Sequence, residues 1–150
     1  LALALASDIR IAAASARFNV AFVRIGLSGC DIGVSWLLPR LIGAARAYEL
    51  MLTGRFLPAD EAKAMGLVLD VVPDGQVVDA ALAEAELIVA NSPFGVQMTK
   101  EVMWSQLEIG SLAAGIDLEN RTQLLASTTS DMAEAVAAFM AKRSPSFEDQ

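Results

Sequence analysis

At 150 residues the chain has the length of one domain with a real core, and 55% of it is hydrophobic. Its 11 basic and 18 acidic residues leave a net charge of −7, and that field opposes general attraction to nucleic acid or to an anionic membrane. The single cysteine, Cys30, excludes an internal disulfide and fits a reducing compartment, while the lack of histidine removes the usual partner of a nucleophilic thiol.

The opening Leu-Ala alternation is too short to span a membrane and is cut by Asp8 and Arg10. It also has no basic stretch before it of the signal-peptide kind. Short strands are predicted at Ile9 to Ala13, Val20 to Ile25 and Val68 to Val72, each followed by helical pattern, so the first half reads as α/β. Between them lies Gly26 to Gly43, GLSGCDIGVSWLLPRLIG. Its glycines give the backbone freedom for a tight turn, and Asp31 stands at an N-cap position before the apolar run Ile32 to Leu38 and Pro39. A helix start concentrates unpaired N–H groups and partial positive charge, which favours an anion or an activated carbonyl nearby. A second helix, Ala45 to Leu52, ends at Thr53 and Gly54. A third has Pro58 in its first turn, Asp60 and Glu61 behind it, and Gly66 as its stop.

From Asp79 onward the pattern is helical. Val78, Leu82, Ala85 and Val89 form one stripe, and Ser92 with Pro93 opens the next segment. The last helix starts near Ser130 or Asp131, with Met132, Ala135, Val136, Phe139 and Met140 on one continuous apolar face. No fixed-period repeat, low-complexity tract or long linker interrupts the chain. These apolar faces exceed what one small sheet can cover, and the expected use for the excess is a subunit interface.

Several stretches together carry a family resemblance: LALALASDIRIAAASARF (Leu1 to Phe18), the Gly26 to Gly43 turn, RLIGAARAYELMLTGRFLPADEAKAMGLVLDVVP (Arg40 to Pro73), NSPFGVQMTKEVM (Asn91 to Met103) and AAFMAKRSPSF (Ala137 to Phe147). In this order and spacing they resemble the crotonase superfamily, the enoyl-CoA hydratase and isomerase enzymes, over essentially the whole chain. The resemblance implies an α/β fold of the ClpP/crotonase ββα superhelix type. Residues 1–75 would be the C-terminal part of its core and residues 76–150 a helical trimerisation region. It implies a soluble cytoplasmic homo-oligomer, trimer or hexamer, acting on an acyl-CoA in fatty acid or related metabolism, with coenzyme A entering as part of the substrate and no separate cofactor or metal. No membrane or nucleic-acid partner is expected. It also implies that Leu1 falls just past the family's glycine turn, so that both oxyanion-hole donors and much of the nucleotide pocket lie outside this sequence and the fragment alone has little activity.

The departures from the family pattern are specific. The two hydratase glutamate positions hold Ala2 and Phe22, neither of which moves a proton. Dienoyl-CoA isomerases and halobenzoyl-CoA dehalogenases carry a third acidic position, where the resemblance places Asp31, with one extra residue in Leu27 to Cys30. Asp31 is thus the candidate catalytic carboxylate, a proton carrier or a nucleophile, and equally a candidate N-cap. Phe22 and Cys30 are candidate substrate-pocket residues, each also readable as plain packing. Lys142, beside Arg143, matches a family lysine that reaches the phosphates of coenzyme A, while two cations in a last helical turn also suit the macrodipole. Three functions follow: hydration or isomerisation of an acyl-CoA, nucleophilic hydrolysis or dehalogenation of one, or a non-catalytic acyl-CoA-binding or assembly role.

Overall fold

The structure, a computed structural model, describes residues 1–148. Two compact units span Leu1–Ala83 and Glu84–Gln150.

The first unit runs α1 (Ala2–Leu5), β1 (Ile11–Ala13), β2 (Arg17–Phe18), a 3-10 helix (Ala21–Ile25), α2 (Val34–Ile42), α3 (Ala44–Thr53), β3 (Leu57–Pro58), α4 (Ala59–Ala64) and β4 (Asp70–Val72). Strands β1 and β4 pair in parallel with Ile11 opposite Asp70 and Ala13 opposite Val72. A parallel pair needs a long crossover, and everything from β2 to α4 is that connection. Strands β2 and β3 make a two-residue antiparallel ladder, Phe18 opposite Leu57, and Pro58 ends it by becoming the N-cap of α4. Val34, Leu38 and Ile42 repeat every four residues along α2, so one stripe of that helix is buried, with Leu5, Leu50, Leu57 and Leu67 packed into the same cluster.

Two sequence expectations change here. Val20 to Ile25 is not a strand: Val20 is buried, and Ala21–Ile25 winds into a 3-10 helix closed by Gly26 at φ +83. Among the described residues no strand pairs with this segment, whereas 3-10 winding places Phe22 and Ile25, three apart, on one side. Nor does Asp31 cap the second helix. Its N-cap is Gly33 at φ +78, without a side-chain bond, because Ile32 and Gly33 both adopt left-handed backbone and carry Asp31 past the helix mouth. The Asp31 backbone carbonyl, not its carboxylate, accepts from the Val34 N–H at 3.0 Å. Pro39 lies inside α2, which continues to Ile42.

Helix α5 (Val77–Val89) leads from the first unit into the second, which holds α6 (Pro93–Gln106), α7 (Leu112–Ala126) and α8 (Ser130–Ala141). Side-chain hydroxyls cap all three: Ser92 accepts from Gly95, Ser111 from Ala114 and Thr129 from Met132. Burial within these three helices is confined to Gly115, Asp131 and Ala138. A Cβ on Gly115 would come within 2.5 Å of the Gln106 side chain, so α6 and α7 meet closely at that point. The stripe of α8 is helical as expected, yet Met132, Val136, Phe139 and Met140 all face outward.

Candidate active site

The Gly26 to Gly33 loop is shaped by backbone close approach. Leu27 donates back to the Phe22 carbonyl at 3.0 Å, and the Cys30 N–H donates to Ser28 Oγ at 3.0 Å. Gly29 is buried, and a Cβ there would make ordinary contact with the Met51 carbonyl at 3.4 Å and with Val20. Beyond it the chain turns through Ile32 at φ +47 and Gly33 at φ +78, and the Gly33 carbonyl then accepts from Trp36 and Leu37 to start α2.

Two cavities flank this loop. An open cleft of about 400 Å³ is lined by Ala2, Asn19, Phe22, Ile25, Ile32 and Val34 among others, and its lining is mainly apolar. A cavity of about 320 Å³ is lined by loop residues Ser28 and Cys30, by Ser35 of α2, and by Tyr48 and Met51 of α3.

Sequence-derived candidates fall unevenly between them. Ala2 and Phe22, the residues that the resemblance sets at the family's glutamate positions, both line the cleft. Cys30 is exposed and lines the other cavity, apart from Phe22. Asp31 is exposed on the loop between Cys30 and Ile32, lines neither cavity, and its carboxylate has no hydrogen bond or ion pair among the described residues. Lys142 lies in the second unit, where it caps α8 in left-handed backbone at φ +53. The two terminal cations, indistinguishable in sequence, differ here. Arg143 grips Glu134 with two bonds of 2.5 and 2.8 Å, whereas the Lys142 ammonium has no partner among the described residues. The Arg143 guanidinium, helped by the Ser146 N–H, holds the Glu134 carboxyl well below the usual range, to about 2.

Sequence reading missed the scaffold under the cleft. Asn19 Nδ2 donates to the carbonyls of Gly54 and Arg55 at 2.6 and 3.0 Å, pinning the approach to the 3-10 helix, and so to Phe22, against the Thr53-Gly54-Arg55 turn. That turn is tight. Gly54 has φ +60, and a Cβ would lie 2.8 Å from the Arg24 side chain. Arg55 then bridges α3 and α4, bonding Glu49 at 2.7 and 3.0 Å and Glu61 at 2.8 and 2.5 Å. These bonds lower the Glu61 pKa and raise that of Arg55. The available signal was a lone asparagine between two apolar runs and an arginine six residues from a glutamate on each side. Ile32 was missed as well, since nothing in its residue type announces a left-handed backbone. No group of acidic, histidine or cysteine side chains among the described residues could hold a metal ion, and no helix among them is long and apolar enough to cross a membrane.

A short parallel pair, a helical crossover carrying a glycine-rich loop, and an apolar cleft at that loop describe a crotonase-fold protein. A sequence model of the enoyl-CoA hydratase/isomerase family matches residues 1–150, and the chain belongs to that family. It is similar to a probable enoyl-CoA hydratase of Mycobacterium tuberculosis, 45% identical over 150 residues that cover 99% of this chain and 53% of that protein. The 1,2-epoxyphenylacetyl-CoA isomerase of Escherichia coli is 42% identical over 145 residues, 97% of this chain and 55% of the enzyme. Among solved structures, a probable enoyl-CoA hydratase/isomerase from Mycobacterium abscessus superposes with a TM-score of 0.90 at 39% identity, covering 99% of this chain and 58% of that one. The chain spans about half the length of the relatives it matches.

Proposed function

We propose that the complete protein is an enzyme that acts on an acyl-CoA thioester by enolate chemistry, with Asp31 moving the proton. The observation that carries this reading is a contrast: the two positions that the resemblance gives to the family's glutamates are filled by residues that cannot titrate and line the cleft, while the loop residue just before cleft-lining Ile32 is an exposed carboxylate with no bonded partner among the described residues. In isomerisation the Asp31 carboxylate takes a proton from one carbon of the acyl chain and returns it to another. In hydration it orients the water that adds across the double bond. The thioester oxygen carries the negative charge in between, and the resemblance assigns its stabilisation to backbone N–H donors outside residues 1–150. Likeness to the Escherichia coli isomerase supports the isomerase side of this pair.

Coenzyme A enters as part of the substrate, and Lys142 is assigned to its phosphates because the neighbouring cation Arg143 is already held by Glu134. The outward apolar faces of α5, α7 and α8 support a homo-oligomer, trimer or hexamer, and the lone free thiol supports a cytoplasmic setting in fatty acid or related acyl-CoA metabolism, with lyase as the expected class.

The test is Asp31→Asn in the complete protein, assayed on enoyl-CoA substrates. A fall of about 10²–10⁴ in kcat is expected of a proton carrier, and unchanged turnover removes Asp31 from the chemistry. The exposure of Asp31 also permits attack on the substrate, and mass spectrometry of a rapidly quenched reaction separates the two routes: an adduct on Asp31 marks a nucleophile, an unmodified peptide a proton carrier.

A further inference from the structure

Ile32 is an anomaly on three independent counts. It is β-branched with φ +47, where the branched Cβ crowds the backbone. The residue is 69% exposed, so burial does not compensate the strained backbone. The next residue, Gly33, takes the same left-handed turn without a side chain, so the loop path itself does not call for an isoleucine. What the side chain faces is the cleft, where it joins Ala2, Phe22 and Ile25.

We infer that Ile32 is a specificity-determining residue that narrows the cleft and limits the bulk of the acyl group admitted. This rests on the acyl thioester reading above. Asn19 is the one polar side chain on the cleft wall, and both hydrogens of its amide are committed to the Gly54 and Arg55 carbonyls. The lining presented to an occupant is therefore mainly hydrocarbon, which suits an acyl chain. Phe22 and Ile32 share the lining of this cleft, and trimming Ile32 makes room in it for an aryl group.

The experiment compares the complete wild-type protein with Ile32→Ala and Ile32→Gly on trans-2-butenoyl-CoA and trans-cinnamoyl-CoA. Both variants are expected to shift the ratio of kcat/KM toward the cinnamoyl substrate by about tenfold or more, since single carbons in an apolar pocket discriminate on that scale. An unchanged ratio overturns the inference. The Gly variant is also expected to unfold at higher urea than the Ala variant, because only glycine relieves the left-handed backbone; a Gly variant no more stable than the Ala variant overturns the claim of strain. If the wild type turns over neither thioester, the functional reading fails by itself. The cleft is then probed with 1-anilinonaphthalene-8-sulfonate, displaced by butyrate or by cinnamate. A tenfold shift toward cinnamate in the variants upholds the role of Ile32, and equal displacement or none overturns it.

Discussion

The two units draw on the same apolar alphabet and use it in opposite ways. In the first, helices α2 and α3 turn Val34, Leu38, Ile42, Ala47 and Leu50 inward onto short strands, and the loop that carries Asp31 and Ile32 is hung from that cluster. In the second, three capped helices bury a glycine, an alanine and an aspartate, while Leu112, Leu124, Phe139 and Met140 stand outside. A high apolar fraction therefore says how much surface seeks cover, and not where the cover is. One unit buries a core of its own, whereas the described residues of the other bury little within this chain.

Substitutions of graded severity test that contrast. Leu38, fully buried, should cost about 2–5 kcal/mol when changed to Ala, read by chemical denaturation, through lost transfer energy plus the cavity left behind. Asp131→Ala should cost about 1–3 kcal/mol even though it lies in the unit with little core, because Asp131 is 3% exposed and its Oδ2 accepts from Ser92 Oγ at 2.7 Å. A loss as large as that of Leu38→Ala would mean that the second unit is held by that polar pair alone. Gly54→Ala should destabilise by about 1 kcal/mol or more, since φ +60 and the Arg24 side chain at 2.8 Å both oppose a Cβ.

A smaller effect, present at neutral pH and lost in acid, is expected at Glu134. Arg143 lowers its folded-state pKa to about 2, so its contribution is complete above the ordinary glutamate range and disappears as pH falls from about 4.5 toward 2. Glu134→Gln should lower stability at neutral pH and flatten the profile below it, so that its deficit against the wild type shrinks as pH falls from about 4.5 toward 2, as pH-dependent denaturation curves would show. Phe139→Ser should be the mildest for the fold, within about 0.5 kcal/mol, because the ring is 82% exposed. Its effect belongs instead to sedimentation: a lower mass for the complete protein would identify the outward face of α8 as subunit contact, and an unchanged mass would remove it from the interface.

The parts of the fold that were legible in the sequence are those fixed by local chemistry. Helix α3 followed from its run into Thr53 and Gly54, α4 from Pro58 with Asp60 and Glu61 behind it, and β1 and β4 from short β-branched stretches. The 3-10 helix at Ala21–Ile25 was not legible, because five mostly apolar residues fit a strand equally well until one asks what would pair with it. The N-cap at Gly33 was not legible either. An aspartate before a helical run is the usual signal, and only the dihedrals of Ile32 and Gly33 displace it. At the site, the sequence marked Phe22 and Asp31 by their place in the family pattern, yet it could not divide Cys30 from Phe22 into different cavities, nor tell the committed Arg143 from Lys142. For α8, periodicity named the correct face and could not supply what lies against it.

Asp131 and Glu134 stand one turn apart on α8, and between them they accept from Arg143, from the Ser146 N–H and from the Glu148 N–H. The tail is thereby bridled to the helix it has just left, and because Asp131 also receives the hydroxyl of Ser92, the bridle reaches the first turn of α6. Trimming the chain after Ser144 would slacken both ends together, making the last few residues a handle on a helix more than fifty positions upstream.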